Sequence, residues 1–126
     1  MKKIITTLKA PAPIGPYNQA IMVNDTLYLS GQIGLVPSSM KVVNGGVKEE
    51  TKQVMKNLKA VLEAADMTFE NVVKSSIFII DMSDFGKVNE IYERYFSNDA
   101  APAREMIAVK TLPKNVRVEI SMLAIR

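Results

Sequence analysis

The spacing of apolar residues changes at Val47, and this change constrains the possible folds more than any other feature of the chain. From this point the side chains of one helical face recur at intervals of three and four: Val47, Thr51, Val54, Leu58, Val61, Leu62 and Ala65. Lysine and glutamate residues occupy most of the positions between them. The pattern predicts one long amphipathic helix near the middle of the chain.

Segments rich in strand-forming residues precede this helix. Residues 4–7 form a short segment of this kind, and residues 20–23 and 26–33 form two longer ones, separated by Asn24 and Asp25. Because this pair of residues is typical of tight turns, the two longer segments are expected to form a hairpin.

Two stretches of the first half read as loops. Three prolines and a glycine in residues 11–16 exclude both a helix and a strand ladder, which predicts a rigid loop. Residues 34–46 contain Pro37 and the cluster Asn44-Gly45-Gly46, which predicts a surface connection.

The second half of the chain repeats the alternation of strand and helix. Residues 72–80 read as a strand whose apolar end is buried on both faces. Ser83 or Asp84 could cap a second helix. The apolar stripe of this helix, which is more typical of a core than of a ligand cage, consists of Phe85, Val88, Tyr92, Tyr95 and Phe96. Residues 104–109 and 116–125 flank a turn at 112–115 and are expected to form a terminal hairpin.

The order strand, strand, strand, helix, strand, helix, strand, strand predicts an α+β fold in one domain spanning residues 1–126. Both helices are expected on one face of an antiparallel or mixed sheet. The other face alternates too weakly to be fully solvated, because Leu123 and Ile125 lie opposite the apolar side of the last strand. This pattern predicts a homo-oligomer.

The composition excludes several classes of site. The chain has no cysteine and no histidine, so thiol nucleophiles, disulfides, histidine bases and zinc sites built on these residues are excluded. Gly31 and Gly34 lack the rest of a phosphate-binding loop. The net charge of +3 is scattered along the sequence, so nucleic acid is not an expected partner. No apolar run indicates a membrane span or a secretory signal, and the expected location is the cytoplasm.

Arg104 and Glu119 stand out because both charged residues lie within otherwise apolar strand segments. An unpaired charge is costly to bury, and a planar guanidinium is well shaped to bind a carboxylate through two hydrogen bonds. A small carboxylate ligand is one hypothesis. The alternatives are that both side chains point to solvent or that they form a structural ion pair.

Several segments in sequence order resemble the reactive intermediate deaminases (Rid, YjgF-type), and the resemblance runs from Ala10 to the C-terminus. The segments that carry it are Pro13-Ile14-Gly15-Pro16-Tyr17 with Gln19-Ala20, Ser30-Gly31-Gln32-Ile33, Asn57-Leu58-Lys59-Ala60-Val61-Leu62-Glu63-Ala64-Ala65, Asp84-Phe85 with Val88-Asn89 and Tyr92, Pro102-Ala103-Arg104, Leu112-Pro113 and Val118-Glu119-Ile120. Each segment alone is weak evidence, but their common order and spacing are specific.

This resemblance implies a chorismate-mutase-like fold and a homotrimer whose sheets enclose an inner β-barrel, with clefts between subunits. It also implies hydrolysis of enamine and imine products of pyridoxal-phosphate enzymes, such as 2-aminoacrylate and 2-iminopropanoate, to 2-keto acids and ammonia. No cofactor is implied. A reactive substrate of this kind also accounts for an enzyme without histidine, cysteine or a metal motif.

The resemblance further implies roles for individual residues. Arg104 would bind the substrate carboxylate and Glu119 would hold or activate the attacking water. The backbone of Gly31 would approach the ligand. The side chains expected to line the cleft are Tyr17, Ser30 and Asn89. Other roles remain open, because Gly31 could ease a strand distortion, Ser30 could be a strand-edge hydroxyl and Asn89 could bond across helix turns.

Three positions depart from the pattern of the deaminating members: Glu105-Met106, Gly34 and Ser121. By strand alternation Met106 shares a face with Arg104 and is expected to narrow the pocket. Gly34 replaces a common proline, which would loosen its loop, and Ser121 replaces a frequent second carboxylate.

The predicted terminal hairpin would place Glu119 opposite Ala108 and Arg104 opposite Leu123. The two charged residues would then be roughly 13 Å apart along the strands of one subunit. This distance predicts a site shared by two subunits. Two other functions remain as alternatives, a non-catalytic trimer that binds 2-keto acids and, against the charge pattern, an RNA-binding or RNA-cleaving protein.

Overall fold

A computed structural model describes all 126 residues of the chain. The strands are β1 (Lys2–Ile5), β2 (Ala20–Val23), β3 (Thr26–Gln32), β4 (Leu35–Val36), β5 (Lys41–Val42), β6 (Val72–Ile79), β7 (Ala103–Ala108) and β8 (Val118–Ile125). The helices are α1 (Val47–Ala64) and α2 (Phe85–Tyr92), and short 3-10 turns lie between several elements. The long amphipathic helix and the α+β class are therefore confirmed. The second helix is shorter than its aromatic stripe, because Tyr95 belongs to a 3-10 turn.

Six of the strands form one mixed sheet in the order β1-β2-β3-β8-β6-β7. β2 and β3 pair as the predicted hairpin, with Val23 opposite Thr26 and Asn24 at a positive φ of 52°. All neighbouring strands are antiparallel except β6 and β7, which run parallel. A parallel pair needs a crossover connection, and here α2 supplies it.

The predicted terminal hairpin of β7 and β8 is wrong. β8 lies between β3 and β6, whereas β7 lies at the edge of the sheet beside β6. The parallel pairing continues beyond β7, since the Val109 N–H donates to the Ile79 carbonyl. The turn residues at 112–115 therefore reverse the chain without joining adjacent strands.

Both helices pack on one face of this sheet, as predicted. Burial alternates along β8: the residues on its core-facing side are Val118, Ile120, Met122 and Ala124, and all four are buried. They contact the apolar face of α1, in which the fully buried side chains include Val54, Met55, Leu58 and Leu62. Burial of each such side chain contributes about 1.5–3 kcal/mol to folding. The helical period of α1 and the strand period of β8 thus meet in one hydrophobic core.

The opposite face of the sheet, here called the open face, carries an apolar surface that nothing in the chain covers. By register, the large apolar side chains on this face include Ile4, Ile21, Tyr28, Phe78, Ile107, Leu123 and Ile125. Tyr28 retains 51% of its surface and Ile107 retains 45%. An apolar area of this kind is typical of a surface that associates with another protein.

The loop of residues 34–46 is more ordered than a plain surface connection. It contains the two-stranded ladder of β4 and β5, and the Val43 N–H donates to the Gly34 carbonyl at 2.8 Å. Gly34 is buried, and a Cβ added there would lie 3.0 Å from the Glu50 Cα. Glycine at this position permits close packing against α1, and the loosening effect of replacing proline stays a prediction.

Candidate active site

A cavity of about 500 Å³ lies beside the end of β3 and the start of β8. Its wall combines the proline-rich loop, the residues after β3 and the turn before β8. The lining residues include Tyr17, Gln19, Gly31, Lys114 and Glu119. The structure therefore brings together three of the residues predicted from the sequence: Tyr17, Gly31 and Glu119.

Glu119 supplies the carboxylate of this cavity. It lies on the open face of β8, between the buried residues Val118 and Ile120, and its side chain is half-buried. Burial raises the pKa of the Glu119 carboxyl above its usual value, and no hydrogen bond or neighbouring charge opposes this effect. A carboxyl without a partner and with a raised pKa is suited to accept a proton from a bound water near neutral pH.

Gly31 lies directly against this carboxyl. The pairing of β3 with β8 shifts register between Leu29 and Gln32, so Gly31 lies in an irregular part of the ladder. A Cβ added to Gly31 would lie 2.7 Å from Glu119 Oε2 and 2.9 Å from Glu119 Cδ. Gly31 thus accommodates a strand irregularity and also gives the Glu119 side chain its room.

Replacing Gly31 with alanine is therefore expected to displace the Glu119 carboxylate and lower the rate of catalysis while the fold is kept. Because the contact involves the flexible end of a side chain, we expect a loss of stability of only about 1 kcal/mol, within the usual range for single substitutions. Gly86→Ala is the matched control, since a Cβ there meets no atom within 4 Å. Equal activity of the two variants, measured as kcat, would contradict a catalytic placement of Glu119.

Two buried amides hold the wall of the cavity in place. The Gln19 Nε2 group donates to the carbonyls of Thr7, Ala10 and Pro11, and its Oε1 atom accepts from the Thr7 N–H. The Asn57 Nδ2 group donates to the carbonyls of Ile33 and Leu35. These contacts fix the backbone around the cavity outside the main sheet, and they explain why amides occur at two buried positions.

Tyr17 and Ser30 differ in their contacts. The Tyr17 hydroxyl accepts from the Ile14 N–H at 3.2 Å, and its ring borders the cavity. The Ser30 hydroxyl donates to the Asn18 carbonyl at 2.6 Å and lines a neighbouring depression with Tyr17 rather than the cavity itself. Ser30 therefore ties the end of the proline-rich loop to β3 within this chain.

Arg104 lies on the other face of the sheet, away from Glu119. It pairs with Ser75, whose side chain points to the helices, and its guanidinium carbon lies 5.0 Å from the centre of the Tyr92 ring in α2. Glu119 instead pairs with Phe78 on the open face. Their partners on β6, Ser75 and Phe78, are three residues apart, which corresponds to about 10 Å along the strand.

Arg104 and Glu119 neither form a structural ion pair nor point fully to solvent. Arg104 and Glu119 form no ion pair with each other or with any other residue. Both side chains are nevertheless partly buried. The expected register, with Glu119 opposite Ala108 and Arg104 opposite Leu123, is wrong because β6 separates β7 from β8. The two groups are still separated in one chain, but by opposite faces of the sheet.

Met106 lies in β7 with Arg104, Asn89 lies in α2, and neither residue lines the cavity. Met106 shares the helix-facing side of β7 with Arg104 and packs against the hydrophobic core. Asn89 is partly buried in α2 and makes no side-chain hydrogen bond across the helix turns. The neighbouring Glu105 points to the open face, where hydrogen bonds from Lys74 and Ser76 lower the pKa of its carboxyl.

Sequence reasoning missed a buried carboxylate at the base of β8. Glu50 is fully buried, and its two oxygens accept from the Arg117 backbone N–H and Nη1 group at 2.8 Å each. This pair anchors the strand that carries Glu119. A signal existed, because Glu50 lies between Val47 and Val54 on the apolar side of α1, where a charge requires a partner.

Lys114 is a second residue that was not singled out. It lines the cavity and lies at a positive φ of 57°, followed by Asn115 at 54°. A left-handed conformation at a lysine costs about 1 kcal/mol or more, so the turn before β8 is under strain.

No group of acidic, histidine or cysteine side chains in the chain could hold a metal ion, and no helix is long and apolar enough to cross a membrane.

The chain matches known proteins over nearly its whole length. Residues 7–126 match the family model described as Endoribonuclease L-PSP. The chain is 52% identical to the mouse protein named 2-iminobutanoate/2-iminopropanoate deaminase, over all of this chain and 93% of that protein. It is 49% identical to the human protein of the same name, over all of this chain and 91% of that protein.

Solved structures show the same fold. RidA from an Antarctic Psychrobacter species superposes with a TM-score of 0.94 at 40% identity, covering 98% of this chain and 99% of that one. Escherichia coli TdcF with bound serine superposes with a TM-score of 0.92 at 34% identity, covering 98% of each chain.

Proposed function

The chain belongs to the family described as Endoribonuclease L-PSP, which includes the Rid proteins, and from this premise we propose that it is a 2-iminobutanoate/2-iminopropanoate deaminase. The relatives that carry this name match the whole chain at about half identity. The observation of geometry that supports the activity best is that Arg104 and Glu119 are both partly buried and have no ion-pair partner.

The proposed reaction adds one water to an imine and releases ammonia. Glu119 accepts a proton from the water as its oxygen bonds to the imine carbon, and the nitrogen takes up a proton from solvent as its π bond breaks. In the tetrahedral intermediate Glu119 returns its proton to the amine, the hydroxyl releases its proton to solvent as the carbonyl forms, and the C–N bond breaks to give ammonia and a 2-keto acid. Arg104 binds the substrate carboxylate through its in-plane N–H groups. An electrophilic imine needs little further activation, and no step of this reaction uses a cofactor.

We further propose that each site is shared by two subunits of a homotrimer. Within one chain Arg104 and Glu119 lie on opposite faces of the sheet, so a three-carbon substrate cannot contact both. The apolar open face supports association, and the trimer with an inner β-barrel that the family resemblance implies would cover it. One subunit would supply Arg104, Met106 and Asn89, and its neighbour would supply Glu119, Gly31, Tyr17 and Ser30.

A coupled assay tests this function directly. A dehydratase acting on serine or threonine generates the enamine, and the rate of keto-acid formation is measured with and without the protein. We expect faster keto-acid release at unchanged dehydratase activity. The alternative, a non-catalytic trimer that binds 2-keto acids, predicts binding of 2-oxobutanoate with no change in that rate.

The word endoribonuclease in the family description suggests a second activity for this chain. The absence of histidine removes the most common acid-base residue for such cleavage, and the scattered charge offers no continuous phosphate-binding surface. If RNA is not cleaved and its retention does not depend on salt concentration, RNA binding or cleavage is excluded as the function.

The cytoplasmic location also remains a prediction.

Met106 is expected to restrict the size of the substrate side chain if the shared site includes it. Met106→Ala should improve kcat/KM for the leucine-derived imine relative to the alanine-derived imine. The expected change in this ratio is about tenfold, since one methylene group in an apolar pocket contributes about 1–3 kcal/mol of discrimination. An unchanged ratio would show that Met106 serves only the core, against which it packs.

A further inference from the structure

The guanidinium of Arg104 is held by aromatic rings rather than by a carboxylate. Its central carbon lies 5.0 Å from the centre of the Tyr92 ring and 5.8 Å from that of Phe85. Both distances are within the range of cation–π attraction. Stacking of a ring on the flat face of a guanidinium leaves its N–H groups, which lie in the plane, free for another partner.

The Tyr92 ring is itself fixed in position. Tyr92 is buried, and its hydroxyl donates to the Ser75 Oγ atom at 2.9 Å. Ser75 is fully buried and lies directly beside Arg104 in the parallel ladder of β6 and β7. Burial raises the pKa of the Tyr92 hydroxyl, which therefore remains a donor at neutral pH. The ring is thus tied to the strand pair that carries the arginine.

We propose that Tyr92, fixed by Ser75 and assisted by Phe85, is a positioning residue that holds the Arg104 guanidinium ready to bind the substrate carboxylate. This inference rests on the proposed function, in which Arg104 binds that carboxylate. Without the rings, a long and unpaired arginine side chain would sample many rotamers, and binding would have to order it. The rings remove this cost without occupying the N–H groups.

The expected effect is on binding rather than on the chemical step. A contact with the carboxylate that is equal in the ground state and the transition state changes KM and leaves kcat unchanged. Tyr92→Leu is expected to raise KM about tenfold, and Phe85→Leu, which removes the more exposed ring, about threefold. Tyr92→Phe keeps the ring and loses the bond to Ser75, so its KM should rise by less than that of Tyr92→Leu. The dissociation constant of 2-oxobutanoate, measured by calorimetry, should rise by the same factors.

Tyr95→Leu is the matched control. Tyr95 lies in the turn after α2, and its ring packs on Phe69 with centroids 5.2 Å apart, not on Arg104. Its loss should lower the melting temperature and leave KM unchanged. If the role of Tyr92 is only structural, Tyr92→Leu should likewise lower the melting temperature and leave KM unchanged.

The outcomes separate this inference from the proposed function. Full activity of Arg104→Ala would remove the proposed carboxylate contact. An inactive Arg104→Ala, together with KM values within twofold of the parent for Tyr92→Leu and Phe85→Leu, would overturn the positioning role alone. Phe85 is exposed, so Phe85→Leu remains a valid test if Tyr92→Leu fails to fold.

Discussion

Arg104→Ala is expected to abolish measurable imine hydrolysis while the protein remains folded. A charge-assisted hydrogen bond contributes on the order of 1.5–3 kcal/mol, so loss of both bonds of a bidentate contact should lower kcat/KM by about a hundredfold or more. The fold should survive, because Arg104 makes no salt bridge and is only partly buried. The measurement is keto-acid formation in the coupled assay, with circular dichroism as the check on folding.

Arg104→Lys provides the control for charge alone. Lysine keeps the positive charge but has no planar fork, so this variant should remain badly impaired. If the lysine variant recovers full activity, the contact is a simple charge attraction. Near-normal turnover by Arg104→Ala would remove Arg104 from the mechanism.

Glu119→Gln is the second substitution with a large expected effect, a fall in kcat of about a hundredfold or more. Glutamine has nearly the same shape but cannot accept the proton of the attacking water, and general base catalysis typically contributes 10²–10⁴-fold. Folding should not suffer. Because burial raises the folded pKa of this carboxyl, its ionised form opposes folding of the chain above that pKa.

The pH profile gives an independent test of the same residue. Below its pKa the Glu119 carboxyl is protonated and cannot act as a base, so kcat/KM should fall as the pH drops through that raised pKa. The residual activity of Glu119→Gln should lack this acidic limb. An unchanged profile in the glutamine variant would show that another group controls the reaction.

Much of the fold could be predicted from local patterns. The period of three and four gave α1, and the Asn24-Asp25 turn gave the β2–β3 hairpin, because both signals lie in adjacent residues. The position of β8 could not be predicted in this way. Nothing in the turn at 112–115 distinguishes a hairpin from a chain that crosses to the middle of the sheet, and only the β3 and β6 partners decide it.

The site was predictable only in part for the same reason. The resemblance supplied Tyr17, Gly31 and Glu119, which the structure brings to one cavity. The ring of Tyr92 beneath Arg104 depends on how α2 crosses β7, and an aromatic stripe in the sequence cannot report that contact. The Glu50–Arg117 pair, by contrast, could have been predicted from a charge on the apolar side of a helix.

A site shared between subunits is the central claim, and mixed trimers test it most directly. Arg104→Ala and Glu119→Gln proteins, each inactive alone, are unfolded together in equal amounts and refolded. If Arg104 and Glu119 act from neighbouring subunits, about a quarter of the interfaces in random cyclic trimers regain both residues, and about a quarter of the parent activity should return. If both residues act from the same chain, no mixed trimer contains an intact site. Absence of recovery in verified mixed trimers would contradict the account.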